Sequence, residues 1–119
     1  MSNPSIDLSV YGVLDPNRTR GRNLGELADA AIRGGVTFLQ LRVKTSNTRE
    51  FLDAGAEVCE VTRFHRVPLV INDRVDVALA VGADGVHLGD EDMPSSQARR
   101  LLGDHAIIGQ TIHSVEEAE

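Results

Sequence analysis

Two stretches restrict the fold more than any others in the chain. They are Pro68-Leu69-Val70-Ile71-Asn72-Asp73-Arg74 and Gly85-Val86-His87-Leu88-Gly89-Asp90-Glu91-Asp92. Each is a short apolar run that stops abruptly in polar residues. Runs of roughly four to eight residues rich in Val, Ile and Leu, without polar alternation, suit parallel strands covered on both faces. In such sheets a ligand sits beyond the carboxyl ends of the strands, and Asn72, Asp73 and the acidic cluster ending at Asp92 fall there. Carboxylates at two strand ends suit a hard cation, and a hard cation at such a mouth commonly holds a phosphate. The chain is therefore expected to bind a phosphorylated substrate.

Taken in order, Val10 to Leu14 reads as a first strand, closed by the turn signal Asp15-Pro16. Asn23 stands three residues before Glu26, a capped helix start, and Leu24, Leu27, Ala28, Ala31 and Ile32 follow at helical spacing before Gly34-Gly35. Val36 to Leu41 is the second strand. Its period of two puts Phe38, Gln40 and Arg42 on one face and Leu39, Leu41 and Val43 on the other. With the Val43 row toward the helices, Gln40 and Arg42 point to the ligand side and Lys44 continues their row. Asn47 and Glu50 cap a second helix with Phe51, Leu52, Gly55, Val58, Cys59 and Thr62 on one stripe. Pro68 opens the third strand. Arg74 to Val81 is a short helix with Val75, Ala78 and Leu79 inward. Gly85 to Leu88 is the fourth strand, Ser95 to Leu102 a helix packing Ala98, Leu101 and Leu102, and Ala106 to Gly109 the fifth strand.

Strict alternation of strand and helix means a parallel α/β sheet. No Gly-x-Gly-x-x-Gly follows the first strand, which disfavours a dinucleotide-binding version. A (β/α)8 TIM barrel, typically about 250 residues long, fits better, here as an incomplete barrel of about five β/α units. Ser114-Val115-Glu116-Glu117 is a capping box that starts a further helix two residues before Glu119. Residues 1–119 are accordingly expected to be the N-terminal portion of one such domain.

Composition closes off other classes. The net charge is −6 and aromatics are 3%, with no Trp, so neither the electrostatic footprint nor the stacking platforms of a nucleic-acid binder are expected. No apolar run reaches the ~18 residues of a membrane span, and residues 1–7 lack a signal-peptide pattern. Cys59 is the single cysteine, which fits a reducing cytoplasm and a small buried side chain. His65 and His105 read as surface residues and His87 as an interior one; His113 follows the fifth strand.

Four motifs in register resemble the thiamine phosphate synthases of the TenI superfamily: Gln40-Leu41-Arg42-x-Lys44, Ile71-Asn72-Asp73-Arg74-Val75-Asp76, Gly82 to Asp92, and Ile107-Ile108-Gly109-x-Thr111-x-His113-Ser114. Tyr11-Gly12-Val13-Leu14-Asp15-Pro16 fits as well. That family is a barrel of the kind inferred from the alternation. It joins hydroxymethylpyrimidine diphosphate to thiazole phosphate, releasing pyrophosphate. The resemblance implies that Gln40, Arg42 and Lys44 hold the pyrimidine diphosphate beside Asn72 and Thr111. It also implies that Asp73 and Asp92 bind the Mg²⁺ bridging that diphosphate. Pyrophosphate departs readily only when its growing charge is neutralised, by a Lewis acid and by Arg and Lys donors. The bond to it breaks early in the family, so no side-chain nucleophile is needed.

Taken singly, Asp73 also reads as a helix N-cap and Asp92 as part of a solvated acidic loop. Val43 stands where the family commonly has an acidic residue and Thr111 where it has Ser. Family contacts to the thiazole phosphate lie after the fifth strand, so the 119 residues are expected to be inactive alone. A thiazole tautomerase-like isomerase, using a histidine near His113, is one alternative. Another is a non-catalytic half-barrel that binds a phosphorylated ligand or a partner chain, its open edge and apolar interior recruiting a second copy or a complement.

Overall fold

A computed structural model describes residues 6–15, 23–44, 47–89 and 92–110. They form β1 (Tyr11–Leu14), α1 (Leu24–Arg33), β2 (Phe38–Leu41), α2 (Thr48–His65), β3 (Leu69–Asn72), α3 (Val75–Val81), β4 (Gly85–Leu88), α4 (Ser95–Leu102) and β5 (Ile107–Gln110). All five strands are parallel and lie in sequence order, β1-β2-β3-β4-β5. A parallel sheet whose neighbours follow in chain order, each joined by a helix, is the wall of a β/α barrel. Among the described residues the wall is open, with β1 and β5 at its edges. The predicted β/α alternation is therefore observed. No helix among the described residues is long and apolar enough to cross a membrane.

Local sequence accounts for the boundaries. The Asn23 side chain accepts from the Glu26 amide at 3.0 Å, and that of Asn47 accepts from the Glu50 amide at 3.1 Å, so both predicted caps form. β2 begins at Phe38 rather than Val36 because the Val36 amide donates to Ala31 O, still closing α1. Gly85 permits the tight β4–β5 contact: a Cβ there would overlap the Ile107 backbone. The helix predicted from Ser114 lies outside the described residues.

The main core lies between the sheet and its helices. Leu39 and Leu41 of β2, Leu69 and Ile71 of β3, and Val86 and Leu88 of β4 are all buried there. Phe51, Val58, Val77, Ala78 and Ala98 meet them from the helices. At about 1.5–3 kcal/mol per large side chain, this layer outweighs any single polar contact in the molecule. β2 is buried along its whole length, whereas β1 and β5 are only partly covered.

Two inward assignments are corrected. Leu79 is 58% exposed, and Val77 takes its place, because Gly55 of α2 opens a space that Val77 and Val81 fill. Leu101 is 54% exposed: α4 lies against α3 and β5, with Ala98 buried in the core and Leu102 packed against it. His65, expected at the surface, is instead half-buried, its Nε2 2.6 Å from Asp29 Oδ1. It joins the end of α2 to α1, and the Gly25 amide donates to Glu57 Oε1 at 2.9 Å across the same seam. His105 is exposed as predicted.

Candidate functional site

The strands border two spaces, one on the inner face of the sheet and one beyond its carboxyl ends. The deeper one, about 410 Å³, lies on the inner face of the sheet against Tyr11, Phe38, Gln40, Val70 and His87. Gln40 is buried, and its Nε2 donates to the Tyr11 hydroxyl at 2.6 Å. Tyr11 in turn stacks on Phe38 at 4.9 Å between ring centroids. The His87 ring lies where a Cβ on residue 109 would crowd it, so Gly109 makes its room. His87 thus lines the interior, as expected.

The outer space is a cleft of about 260 Å³ beyond the ends of β2 and β3, lined by Arg42, Val43, Lys44, Phe51, Asn72, Asp73 and Arg74. Val43 packs toward the helix-side core, as parity predicts, yet also borders the cleft. β2 ends at Leu41, so strict alternation no longer governs Val43. A larger hollow of about 800 Å³ lies on the outer flank between α1 and α2. Helix termini and helix surfaces line it and no strand end reaches it, so size alone does not mark the site.

Asp73 has an unusual backbone. Its φ is +69°, and the Arg74 amide donates to Asn72 O at 2.8 Å, closing a three-residue turn around it. Such positive-φ γ-turns are rare and strained. The Asp73 amide donates to His87 O at 2.8 Å, so the turn hangs from β4. Asp73 is not the cap of α3: Arg74 occupies that position, and no side chain caps the helix. The turn sets the Asp73 carboxyl within hydrogen-bonding reach of Asp92. Asp92 itself accepts from the Gly89 amide at 2.6 Å.

This pairing has an electrostatic consequence. The Asp73 carboxyl is pushed up to about 6, first by withdrawal from water, then by its hydrogen bond to Asp92 and the Asp92 charge; Arg42 partly offsets the rise. Like charges in contact make the Asp73 carboxyl harder to ionise, and a cation between them would relieve that cost. Among the described residues no third His, Cys, Asp or Glu completes a metal cluster with them. A pair of carboxylates suits Mg²⁺, which is usually held by one or two carboxylates and takes its other oxygens from water and phosphate.

The predicted residues thus divide by place. Arg42, Lys44, Asn72 and Asp73 share the cleft, and Asp92 joins them through Asp73. Gln40 stands apart in the deeper space. Thr111 and His113 lie outside the described residues. Sequence reasoning passed over Arg74, Phe51 and Tyr11 as site residues. Arg74 donates from Nε and Nη2 to the two Asp76 carboxylate oxygens at 2.9 and 2.8 Å, and from Nη2 to Thr48 Oγ1 at 3.2 Å. Its guanidinium lies 5.7 Å from the centroid of the Phe51 ring. The one sequence signal for this group was the Arg74-Val75-Asp76 spacing, which at the start of a helix matches no helical periodicity.

Comparison with known proteins supplies what geometry alone does not. A family model described as thiamine monophosphate synthase matches residues 10–119. The chain is 48% identical over 113 residues to the thiamine-phosphate synthase of Caldanaerobacter subterraneus subsp. tengcongensis, covering 95% of this chain and 53% of that protein. It is 47% identical over 112 residues to that of Natronomonas pharaonis, covering 94% and 52%. Among solved structures it is similar to thiamine phosphate pyrophosphorylase from Pyrococcus furiosus, with a TM-score of 0.79 and 39% identity over 92% of this chain and 52% of that one. The chain spans about half the length of the curated relatives it matches.

Proposed function

Because the chain belongs to the thiamine monophosphate synthase family, we propose that its strand-end cleft serves a transferase. That enzyme joins hydroxymethylpyrimidine diphosphate to thiazole phosphate, giving thiamine phosphate and pyrophosphate in thiamine biosynthesis. The observation that carries this reading is the convergence of Arg42, Lys44, Asn72 and Asp73 on one cleft, with Asp92 against Asp73. Cations and paired carboxylates together suit a diphosphate bridged to Mg²⁺.

In this reading Asp73 and Asp92 hold Mg²⁺. Bound there, Mg²⁺ supplies Lewis-acid neutralisation of the charge that grows on the departing pyrophosphate. Arg42 and Lys44 donate charge-assisted hydrogen bonds to phosphate oxygens, stronger in the transition state as that charge develops. Asn72 contributes a neutral donor and acceptor beside them. Gln40, held by Tyr11 in the deeper, mainly apolar space, suits the pyrimidine ring. The partners are then small molecules. A cytoplasmic setting fits the buried, lone Cys59.

Binding of hydroxymethylpyrimidine diphosphate to the chain, followed by calorimetry with Mg²⁺ and again with chelator, tests the reading. Tight binding only with Mg²⁺, lost in Asp73→Asn, is expected. Equal binding in chelator, or in Asp73→Asn, would remove both carboxylates from their assigned role.

A further inference from the structure

Asp73 adopts a backbone conformation that glycine would take freely and aspartate takes under strain. Such strain persists only where the surroundings over-determine it. One restraint is the Asp73 amide on His87 O. The other lies on the following residue. The Arg74 side chain leaves the turn and is fixed at three points: the Asp76 carboxylate in α3, the Thr48 hydroxyl at the start of α2, and the Phe51 ring. A bidentate guanidinium–carboxylate contact fixes orientation as well as distance, which an ammonium cannot do. Arg74 lines the cleft, yet its fork is turned to Asp76.

We infer that Arg74 is a positioning residue: clamped by Asp76 and Thr48 over Phe51, it holds the γ-turn that aims the Asp73 carboxylate at Asp92. It acts on the cation site through the backbone and touches no substrate. The inference rests on the metal role given to Asp73 under the proposed function, and it adds a group that this role depends on.

The test uses the whole chain with Mn²⁺ as the probe, in the presence of inorganic pyrophosphate, reading free Mn²⁺ by electron paramagnetic resonance. Hydrogen exchange of the Asp73 and Arg74 amides is read in parallel, with the Val70 and Ile71 amides of β3 as the control for an intact sheet. Arg74→Gln and Asp76→Ala should each weaken Mn²⁺ binding by about 10-fold or more, the usual effect of losing an outer partner of a metal ligand. Their combination should do little more, since both break one clamp. Both should speed exchange at Asp73 and Arg74 while leaving Val70 and Ile71 protected. Arg74→Lys, which keeps the charge without the fork, should fail to restore either signal.

Wild-type Mn²⁺ affinity in Asp76→Ala would overturn the inference, because Arg74 would then act without its clamp. Weakening in Arg74→Gln but full recovery in Arg74→Lys would overturn it too, by placing the charge directly on pyrophosphate. Loss of protection at Val70 and Ile71 as well would mark a general structural role and overturn it. Should the wild-type chain bind no Mn²⁺, the metal reading fails by itself. The exchange data then decide the clamp: selective loss at Asp73 and Arg74 upholds it, and unchanged protection removes it.

Discussion

Asp73 and Asp29 are the same side chain placed in opposite company, one at the mouth of the sheet and one on its outer flank. Asp29 lies in α1, with Arg33 Nε 2.8 Å and His65 Nε2 2.6 Å from its two carboxylate oxygens. Its carboxyl is held below the usual value, first by the hydrogen bond from His65 and further by the charge of Arg33. Asp73 is pushed up to about 6 by partial withdrawal of its carboxyl from water and by Asp92, and Arg42 offsets only part of the rise. On the flank, charge is satisfied by neighbours and the result is a tie between two helices. At the strand ends the backbone is strained to bring like charges together, which destabilises the apo chain and makes sense if a cation completes the group. One arrangement serves the fold, and the other fits the cation site proposed above.

The sharpest way to break this contrast is to remove each carboxylate in turn. Asp73→Asn or Asp92→Asn should reduce Mg²⁺-dependent binding of the diphosphate by on the order of 100-fold, at or above the upper end of the range for losing a mere outer partner. Asp29→Asn should leave it unchanged. Calorimetry on the three variants decides: equal losses would mean that the chain's overall charge matters and the strand-end pair does not. Next in size is the cation of each region. Arg42→Gln removes charge-assisted bonds worth about 1.5–3 kcal/mol each, and should weaken diphosphate binding by roughly 10- to 100-fold. Arg33→Gln, whose side chain is 72% exposed, should not alter it. Binding retained in Arg42→Gln would take the phosphates away from this cleft.

How much of each region could be read in the sequence follows from what each is built of. The strands are apolar runs closed by Gly, Pro and Asn caps, so alternation, element order and the polar ends of β2 and β3 were legible from periodicity alone. Arg42, Lys44, Asn72 and Asp73 could be placed because they follow directly from strand ends. Parity also placed Gln40 inside, and His87 was expected in the interior. The Arg74–Asp76–Thr48 group was not legible, because it joins the starts of two helices across 26 residues without a repeating spacing. The same holds for Asp29 and His65, 36 residues apart on different helices. Leu79 and Leu101 were placed inward because hydrophobicity was followed without knowing which flank Gly55 opens and which residues of α4 face the core.

The smallest effect sharpens the contrast through pH, since the two carboxylates link folding to protons with opposite sign. Asp29 binds its proton more weakly folded than unfolded, so its contribution is present above its ordinary value of 3.8 and is lost as pH falls through the lowered folded value. Asp73 binds its proton more tightly folded than unfolded. Between pH 3.8 and about 6 the folded chain therefore carries more proton than the unfolded one, and stability declines as pH rises across that window. Urea denaturation from pH 3 to pH 8 should show both. Asp73→Asn should remove the decline toward pH 6 and leave the acid side alone. Asp29→Asn should soften the acid loss and leave the decline. Both effects on stability are modest, because water reaches the exposed Asp73 and the partly exposed Asp29 and screens their interactions. Adding Mg²⁺ with pyrophosphate at pH 7 should stabilise the wild type and not Asp73→Asn. A decline that persists unchanged in Asp73→Asn would mean that the pair at the strand ends is not strained against itself, and the contrast with Asp29 would dissolve.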